Sequence, residues 1–295
     1  MGLVEAGTMH RLAVAVEDSD AASAWWRRVF GTAEVTRIDI PHQSAEAAAA
    51  PQSTVDDMRA QEGSDSRMVW HGGYPLLFLA PWGDDGYVHR HLRRWGPGLH
   101  SLAWEIEDMW GADAGLRAAG YTITGVNVDG RHFFLHPRET HGVMLEFTDT
   151  YFSGDVRRGG PVPDESGGLV TGARVAWVTA VVADADATAA LLAEVASGTE
   201  VTGNPRRDPA VEAVRDVRVG DLTVRLVTPR SAESLAAPVL DAGPRLYSYA
   251  LRVPDLDAAL AAVAGEGVDV VARDGALAWT DPAGSFGVPL EWVQA

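Results

Sequence analysis

The sequence predicts an α+β protein made of four copies of one βαβββ module. Three features lead to this prediction: an apolar strand ending in Asp occurs four times, each Asp opens an amphipathic helix, and three β-like runs follow each helix. The four strand-to-Asp segments are residues 12–18, 102–108, 178–184 and 249–255. A repeat of this kind indicates that one small unit is used several times within the chain.

The helices are predicted from their first residues and from helical periodicity. Asp suits a helix N-terminus because its carboxylate accepts hydrogen bonds from free amide groups and complements the helix dipole. After Asp18, the apolar residues Trp26, Val29 and Phe30 fall on one face, and Gly31 ends the helix. The third and fourth helices are rich in Ala and Leu and also end at Gly.

The ends of the modules indicate that they form two pairs. Modules one and three both finish on an apolar run that ends in Pro, at residues 77–81 and 225–229. Modules two and four both finish with Pro and Glu nine residues apart, which are Pro137 with Glu146 and Pro282 with Glu291. We therefore expect two halves of two modules each.

These halves can be bounded from the same pattern. The first half is 1–159, with modules at 8–83 and 97–152, and the second half is 173–295, with modules at 173–230 and 243–294. Residues 160–172 are rich in Pro, Gly and acidic residues and are predicted to be the linker. Residues 42–66 break the β pattern of module one and are interpreted as an insertion, either a solvated surface loop or a lid.

Composition excludes several classes of protein. The chain has 295 residues with 24 Lys+Arg against 41 Asp+Glu, a formal net charge of −17, which argues against a nucleic-acid partner because phosphate binding needs a basic surface. No apolar run approaches the roughly 20 residues that span a bilayer, and no signal-like pattern opens the chain, so we expect a cytoplasmic protein without a membrane partner. Because the chain has no Cys, any metal must be bound by His and carboxylate ligands.

Three segments carry a resemblance to a known family: 24–31 (AWWRRVFG), 88–100 (VHRHLRRWGPGLH) and 136–146 (HPRETHGVMLE). With the βαβββ repeats they resemble the vicinal oxygen chelate superfamily, which includes glyoxalase I, methylmalonyl-CoA epimerase, extradiol dioxygenases, fosfomycin-resistance enzymes and bleomycin-binding proteins. Modules one and two most resemble methylmalonyl-CoA epimerase. The resemblance implies that paired modules form a curved, half-open barrel with the active site in its concave cup. We therefore expect two cups in this chain rather than one large core.

By residue type, His10, His100 and Glu146 form a candidate metal site. Two His and one carboxylate suit a divalent metal such as Fe, Mn, Co, Ni or Zn and leave positions open for a substrate. Both His lie at the start of the first strand of their modules, and Glu146 lies on the last strand of module two. This is the arrangement that the resemblance implies.

The register of the strands argues against that metal site. The resemblance implies ligands seven residues before the Asp that opens each helix and four before the last Pro of module one, and those positions hold Arg11, Ser101 and Leu77. Strand residues alternate between faces, so His10 and His100 are expected under the helices, on the face away from the cup. No metal is therefore favoured, although a β-bulge at the strand start would restore the His site.

The matching positions of the second half are predicted to bind a ligand. With Leu77 of the first half, they are Trp177, Arg225, Ser248 and Glu291. These positions hold a single carboxylate, so no metal is expected there either. Trp177 is the best candidate for an aromatic wall against a flat apolar ligand. An interior ion pair between Glu291 and Arg225 is the default expectation.

Without a metal, Glu146, Arg11 and Ser101 are the candidate catalytic residues. Burial raises the pKa of a carboxyl group toward the range that is useful to a general base, which is the role expected of Glu146. Arg11 could hold a carboxylate, a phosphate or a developing enolate, and Ser101 could orient a substrate oxygen. The alternative is that Glu146 and Arg11 form only an interior ion pair.

Three functions remain open at this point. The first is an acid-base isomerase, epimerase, cyclase or lyase acting next to a carbonyl, and the second is a metal-dependent epimerase or extradiol-type dioxygenase. The third is a protein that sequesters a drug or metabolite without chemistry. In each case the partner is a small molecule and the chain is a monomer or a homodimer. The basic run 89–94 is interpreted either as a grip for CoA phosphates or as a solvated helix.

Overall fold

The computed structural model of the chain describes residues 2–34, 64–125, 132–152, 154–162 and 164–295. The strands of the first half are β1 (Met9–Ala15), β2 (Ala33–Glu34), β3 (Ser64–His71), β4 (Tyr74–Pro81), β5 (Gly98–Glu105), β6 (Ile123–Thr124), β7 (His132–Leu135) and β8 (Leu145–Thr148). The strands of the second half are β9 (Arg174–Val181), β10 (Thr199–Val201), β11 (Glu212–Val219), β12 (Leu222–Pro229), β13 (Arg245–Val253), β14 (Val270–Asp274), β15 (Leu277–Thr280) and β16 (Leu290–Gln294). The α-helices are α1 (Ser19–Phe30), α2 (Tyr87–Trp95), α3 (Met109–Ala118), α4 (Ala185–Ala196), α5 (Ala237–Ala242) and α6 (Leu256–Ala264).

The strands form two eight-stranded sheets, one in each half. Their orders are β2-β3-β4-β1-β5-β8-β7-β6 and β10-β11-β12-β9-β13-β16-β15-β14. The first strands of the two modules, β1 with β5 and β9 with β13, run antiparallel at the centre of each sheet. Each half therefore consists of two modules joined edge to edge. This confirms the predicted α+β fold of four βαβββ modules paired into two curved, half-open barrels.

The four predicted aspartates cap the helices of the modules. Asp18, Asp108, Asp184 and Asp255 each accept a hydrogen bond at 2.8–2.9 Å from the amide three residues later. These bonds satisfy amide groups that the helix itself leaves without partners. The repeated Asp thus has the same physical role in every module.

A β-bulge interrupts the pairing of each central strand near its start. The register skips His10 in β1 and His100 in β5, and in the second half it skips Ala176 in β9 and Tyr247 in β13. An extra residue of this kind bends the strand and re-aims the side chains next to it. Simple alternation of faces therefore fails at these four positions.

The two sheets share one hydrophobic core between their convex faces, and its buried residues come from both halves. Trp26 and Phe30 of α1 contact Tyr249 and Trp292 of the second half, with ring centroids 5.7 Å and 6.2 Å apart. The chain was expected to have two cups and no large common core, and the second of these expectations is wrong. The reason is that α1 of the first half packs on β13 and β16 of the second.

The predicted insertion 42–66 and the predicted linker 160–172 can be compared with the structure only in part. Residues 35–63 lie outside the described residues, and so does most of the predicted insertion 42–66, whose last three residues belong to β3 instead. Part of the predicted linker 160–172 packs on α1, because the amide of Val170 donates to the carbonyl of Val29 at 2.8 Å. Across the described ranges, no helix combines the length and apolar character that a membrane span requires.

His71 is a buried polar side chain in the shared core. Its ring centroid lies 5.1 Å from that of Trp26 and 5.6 Å from that of Tyr249, and the residue is 1% exposed. Within the described part of the chain, neither ring nitrogen has a hydrogen-bond partner, and neither does the Tyr249 hydroxyl. Burial, helped by the charge of Arg174, lowers the pKa of His71 to about 3. The ring is therefore neutral in the folded protein near neutral pH.

Acidification should destabilise the protein partly through His71. The unfolded chain takes up a proton below the ordinary His pKa of 6.5, whereas folded His71 does so only at about 3, so its contribution to stability falls as the pH drops between these values. From pH 7.5 to pH 5 this loss is about 2 kcal/mol. Urea unfolding at both pH values should show that His71→Leu removes a loss of this size.

Tyr249→Phe is the matched control for the His71 experiment. It removes another unpartnered polar atom from the same cluster, and burial raises the pKa of Tyr249 well above 10, so this hydroxyl does not titrate between pH 5 and pH 7.5. We expect Tyr249→Phe to keep the pH dependence of the parent protein. Equal pH dependence in His71→Leu and the parent would contradict the assignment.

Candidate functional site

The floor of the first cup is set by the register of its strands. Arg11, Ala103, Glu146 and Phe134 form one row across β1, β5, β8 and β7. A neighbouring row places Leu77 and Ser101 on either side of one residue of β1, Ala13. The structure thus brings together Arg11, Leu77, Ser101 and Glu146, the first-half positions that sequence reasoning placed in the cup.

A chain of hydrogen bonds crosses this floor. Arg11 Nη2 donates to Glu146 Oε1, and Arg11 Nη1 donates to His10 Nδ1 at 2.7 Å. The other nitrogen of His10, Nε2, lies 3.3 Å from the Thr150 hydroxyl oxygen, which is 2.7 Å from that of Thr148. Because a guanidinium can only donate, His10 Nδ1 must accept, and neutral His10 carries its proton on Nε2. His10 therefore holds Arg11 from the side opposite Glu146.

The predicted positions of His10 and His100 under the helices are wrong. His10 lies beside Arg11 and Thr150 and stacks on Phe152 with ring centroids 4.4 Å apart. Phe152 belongs to an apolar cluster against which Leu77 packs. His100 lies against Tyr87 and His91 of α2, on the cup side of the sheet. The bulges in β1 and β5 cause the difference, because each inserts one residue at the point where alternation was counted.

Helix α2 covers the first cup. Val88, Tyr87 and Leu92 of this helix belong to one apolar cluster with Ala13 and Leu79 of the sheet. The basic run 89–94, in which sequence reasoning saw a grip for phosphates or a solvated helix, lies on this helix. Apolar side chains of α2 and His91 therefore face the cup, whereas Arg90, Arg93 and Arg94 are exposed.

Two histidines meet beneath α2. The ring centroids of His91 and His100 are 5.1 Å apart. Burial, then the charge of Arg245, lowers the pKa of His91 to about 4. Burial, then the charges of His91 and Arg11, lowers the pKa of His100 to about 3. Both rings are therefore neutral near pH 7.

Glu146 is the buried acid of the first cup, with 1% of its surface exposed. Burial raises the pKa of its carboxyl group, and the charge and hydrogen bond of Arg11 oppose that rise. The raised pKa shows that desolvation outweighs the ion pair. Glu146 and Arg11 thus form the interior ion pair that was one alternative, with a carboxyl group that holds its proton more tightly than usual.

The first cup does not fit a metal ion. No group of three His, Asp or Glu side chains converges on a common point in the ranges that the structure describes. The Arg11 guanidinium lies on both Glu146 and His10 Nδ1, so a cationic side chain already binds two of the three candidate ligands. A second cation at that point would be repelled at short range. His10 and Glu146 thus both bind Arg11, while His100 lies against α2 in the same cup.

The second cup repeats the register of the first with different residues. Trp177, Ala250, Glu291 and Trp279 form one row across β9, β13, β16 and β15. The neighbouring row is Arg225, Thr179 and Ser248. The four predicted ligand-binding positions of this half, Trp177, Arg225, Ser248 and Glu291, therefore lie on one concave surface.

Neutral donors hold Glu291. Its Oε1 accepts hydrogen bonds from the hydroxyl groups of Thr179 and Ser248, and its Oε2 accepts one from Trp177 Nε1 at 3.1 Å. No ion pair to Glu291 is found among the described residues. An ionised carboxylate has about four lone-pair sites, so these donors leave room for one more. The two cups therefore satisfy the same carboxylate in different ways.

The expected ion pair between Glu291 and Arg225 is wrong. Arg225 instead pairs with Asp216 through two hydrogen bonds of 2.8 Å and 3.1 Å, and its guanidinium lies 3.6 Å from the ring centroid of Trp177. Asp216 faces Arg225 across the hairpin of β11 and β12. A bidentate pair with a fully buried Asp is stronger than a single contact to Glu291.

A small cavity of about 30 Å³ opens in the second cup. Glu291, Trp279 and Tyr247 line it, with residues of the segment that leads into α5 above them. Burial and the nearby charge of Glu291 raise the pKa of Tyr247 to about 12. The bulge in β13 supplies Tyr247, at the position that His100 has in the first half.

Sequence reasoning missed several residues of the two cups. The sequence did contain a signal for Asp216, because it lies as far before the two-residue turn Gly220–Asp221 as Arg225 lies after it. The sequence contained no signal for Thr150 or Tyr247. Thr150 follows the end of β8, and Tyr247 lies at the bulge of β13, so strand alternation does not predict where their side chains lie. His91 lies on a helix that packs on the cup only in three dimensions.

Part of the chain is similar in sequence to known proteins. Residues 10–134 match the model of the Glyoxalase/Bleomycin resistance protein/Dioxygenase superfamily. The ethylmalonyl-CoA/methylmalonyl-CoA epimerase of Cereibacter sphaeroides is 27% identical over 148 residues, which are 48% of this chain and 96% of that protein. The match to the family model thus lies in the first half.

Solved structures extend the likeness to the whole chain. A variant of 4-hydroxymandelate synthase from Streptomyces coelicolor has a TM-score of 0.62 at 15% identity, covering 98% of this chain and 93% of that one. A fusion of a xylose isomerase-like TIM barrel with 4-hydroxyphenylpyruvate dioxygenase has a TM-score of 0.58 at 14% identity, covering 99% of this chain and 50% of that one. Residues 10–134 are therefore similar to the Glyoxalase/Bleomycin resistance protein/Dioxygenase superfamily, and the whole chain shares the fold of these two solved structures.

Proposed function

We propose that the chain catalyses metal-independent proton transfer next to a carbonyl group in the first cup. The observation that carries this proposal is the buried Glu146, whose pKa is raised by burial and whose carboxylate lies beside the Arg11 guanidinium. A base with a raised pKa and a fixed cation next to it is what enolate chemistry requires.

The proposed step moves one proton and one electron pair. Glu146 takes the proton from the carbon next to the carbonyl, and the electrons of the broken C–H bond move to the carbonyl oxygen as an enolate. Arg11 donates hydrogen bonds to that oxygen, and Ser101 orients a second substrate oxygen. If the enolate turns its other face toward Glu146 before the proton returns, the result is an epimerisation, and return of the proton to another atom of the enolate system gives an isomerisation.

His10 has a positioning role in this proposal. Because Nδ1 of His10 accepts from Arg11 Nη1, the guanidinium is held on the floor of the cup even when a substrate oxygen competes with Glu146 for Nη2. When a substrate oxygen takes the Nη2 hydrogen bond of Arg11 from Glu146, the interaction that lowers the pKa of Glu146 becomes weaker. Glu146 then becomes a stronger base.

Acyl-CoA thioesters with an acidic C–H bond are the proposed substrate class. Support comes from the ethylmalonyl-CoA/methylmalonyl-CoA epimerase that is similar to this chain over 148 residues. The chain departs from that family's ligand positions at Arg11, Leu77 and Ser101, which is why the proposed chemistry relies on Arg11 instead of a metal.

Sequestration of a small molecule without chemistry is the second candidate. One observation favours it: Arg11 and Glu146 neutralise each other, which is the arrangement expected of a purely structural pair. The isotope experiment below separates the two candidates, because a binding protein exchanges no substrate proton.

Glu146→Gln should abolish proton exchange. In D2O, methylmalonyl-CoA and ethylmalonyl-CoA should gain deuterium at the carbon next to the thioester, measured by mass spectrometry, and the variant should lower the rate by about 100-fold or more because the amide cannot take the proton. A chelator should leave the rate of the parent protein unchanged. Exchange that needs a metal would support the metal-dependent alternative.

Glu291→Gln makes the same change at the matching position of the second cup. A rate that falls with Glu291→Gln but survives Glu146→Gln would move the chemistry to the second cup. Absence of exchange with both thioesters, from a folded parent protein, would contradict the proposal and favour sequestration.

Arg11→Met should destabilise the protein in a pH-dependent way. Removing Arg11 leaves Glu146 as a buried charge without its cation, which costs about 3–5 kcal/mol at pH 8. Because the folded-state pKa of Glu146 is raised, this carboxyl group destabilises the folded protein increasingly as the pH rises above 4.5, its ordinary pKa. The stability lost in Arg11→Met should therefore be smaller toward pH 5, where more of folded Glu146 is protonated. Denaturant unfolding at the two pH values measures this change.

The double variant Arg11→Met with Glu146→Gln is the control. It removes the buried charge together with its partner, so it should be more stable at pH 8 than Arg11→Met alone. A double variant with the full deficit would show that Arg11 stabilises the protein by packing and not through Glu146.

A further inference from the structure

We infer that a groove at the mouth of the second cup is a binding site for a phosphate-type oxyanion. The groove has a volume of about 160 Å³ and lies against β11 and the segment before it. Its charged lining consists of four guanidinium groups and one carboxylate, which are Arg206, Arg207, Arg215, Arg230 and Glu212. This site lies outside the first cup and has no part in the proposed proton transfer.

Local contacts hold the arginine side chains in place. Arg207 donates to Glu212 at 3.0 Å, and Arg230 donates to the carbonyl of Pro209 at 2.8 Å. Arg215 donates to the carbonyl of Val214 at 3.1 Å. Guanidinium groups that are held in advance lose less entropy when they bind a ligand, so the groove is organised for binding.

The charges around the groove do not balance. Together with Arg225 of the cup there are five guanidinium groups, and they form ion pairs with three acids, Asp186, Glu212 and Asp216, which leaves a surplus of two positive charges (5 − 3 = 2). Asp208, next along the chain, caps a turn by accepting from the Ala210 amide at 2.8 Å.

The local surplus is positive, whereas the chain as a whole is strongly negative. In a protein with a net charge of −17, positive groups could easily have been separated and neutralised. Placing several of them around one concave surface costs electrostatic energy, which an anionic ligand would recover.

A phosphate-type group fits the groove better than a single carboxylate. The planar fork of each guanidinium binds phosphate oxygens in pairs, and several forks around one groove suit a group that carries more than one charge and several oxygens. Arg230 forms no ion pair within the described residues, and the contacts of Arg206 to Asp216 and to the Val214 carbonyl are both 3.4 Å long. These two side chains therefore have the weakest interactions with protein carboxylates, so the charge of a ligand meets the least competition at them.

The groove continues into the second cup. Arg207, Glu212 and Val214 line both the groove and the cavity above Glu291. The Arg207 guanidinium also lies 5.3 Å from the ring centroid of Trp279, an aromatic wall of that cavity. The ligand class is therefore a small phosphorylated molecule whose anionic group lies in the groove and whose body extends toward the cup.

The test uses pyrophosphate, inorganic phosphate and acetate as probes of the full chain. Isothermal titration calorimetry should show saturable binding of pyrophosphate, weaker binding of phosphate, and acetate weaker than both. Arg230→Gln and Arg206→Gln should each weaken pyrophosphate binding about tenfold, because each removes a charge-assisted hydrogen bond. Thermal unfolding of both variants confirms that they are folded.

Arg138→Gln is the matched control, because it removes one exposed guanidinium from a turn of the first half. Its pyrophosphate affinity should stay within about twofold of the parent protein. An equal loss in Arg138→Gln and Arg230→Gln, acetate binding as tight as pyrophosphate, or no saturable pyrophosphate binding would each overturn the proposal. The measurement requires no turnover, so its outcome is independent of the isotope exchange in the first cup.

Discussion

Each half of this protein buries one glutamate on its last strand, and the way that charge is compensated organises the cup around it. An isolated charge is too costly to bury, so Glu146 and Glu291 both need partners. Arg11 supplies the partner in the first cup, and His10 holds Arg11 in place. In the second cup three neutral donors surround Glu291, and one position for a further donor remains. The same fold therefore gives one cup a base with a neighbouring cation and gives the other an anion held only by neutral donors.

The bulges in the central strands connect this chemistry to the fold. The extra residue in β1 brings His10 to Arg11, and the extra residue in β5 brings His100 under α2. The second half has bulges at the same points, where Ala176 and Tyr247 take these places. The backbone device is repeated in both halves, while the side chain at the bulge differs. Each cup therefore acquires its own polar groups without any change of topology.

The shared core explains why two cups can differ and still form one stable unit. The convex faces pack on each other through the rings of Trp26, Phe30, Tyr249 and Trp292, so the largest buried apolar cluster lies on the side away from both cups. Substitutions on the concave faces leave that packing intact. The arginine groove beside the second cup and the ion pair of the first are both built on surfaces that the core does not use.

The amino-acid sequence by itself determined the repeat, the helix starts at Asp18, Asp108, Asp184 and Asp255, and the shared face of Arg11 and Ser101, because these follow from local periodicity and from alternation along strands. The placement of Leu77 and Glu146 in the same cup was implied by the family resemblance, and the strand register agrees with it. Tertiary structure decided the direction of His10 and His100, because a bulge adds one residue to a count that periodicity assumes to be regular. It also decided that Arg225 pairs with Asp216 rather than Glu291 and that the two halves share a core. These outcomes depend on which strands and helices are in contact in the folded protein, and local sequence periodicity does not predict such tertiary contacts.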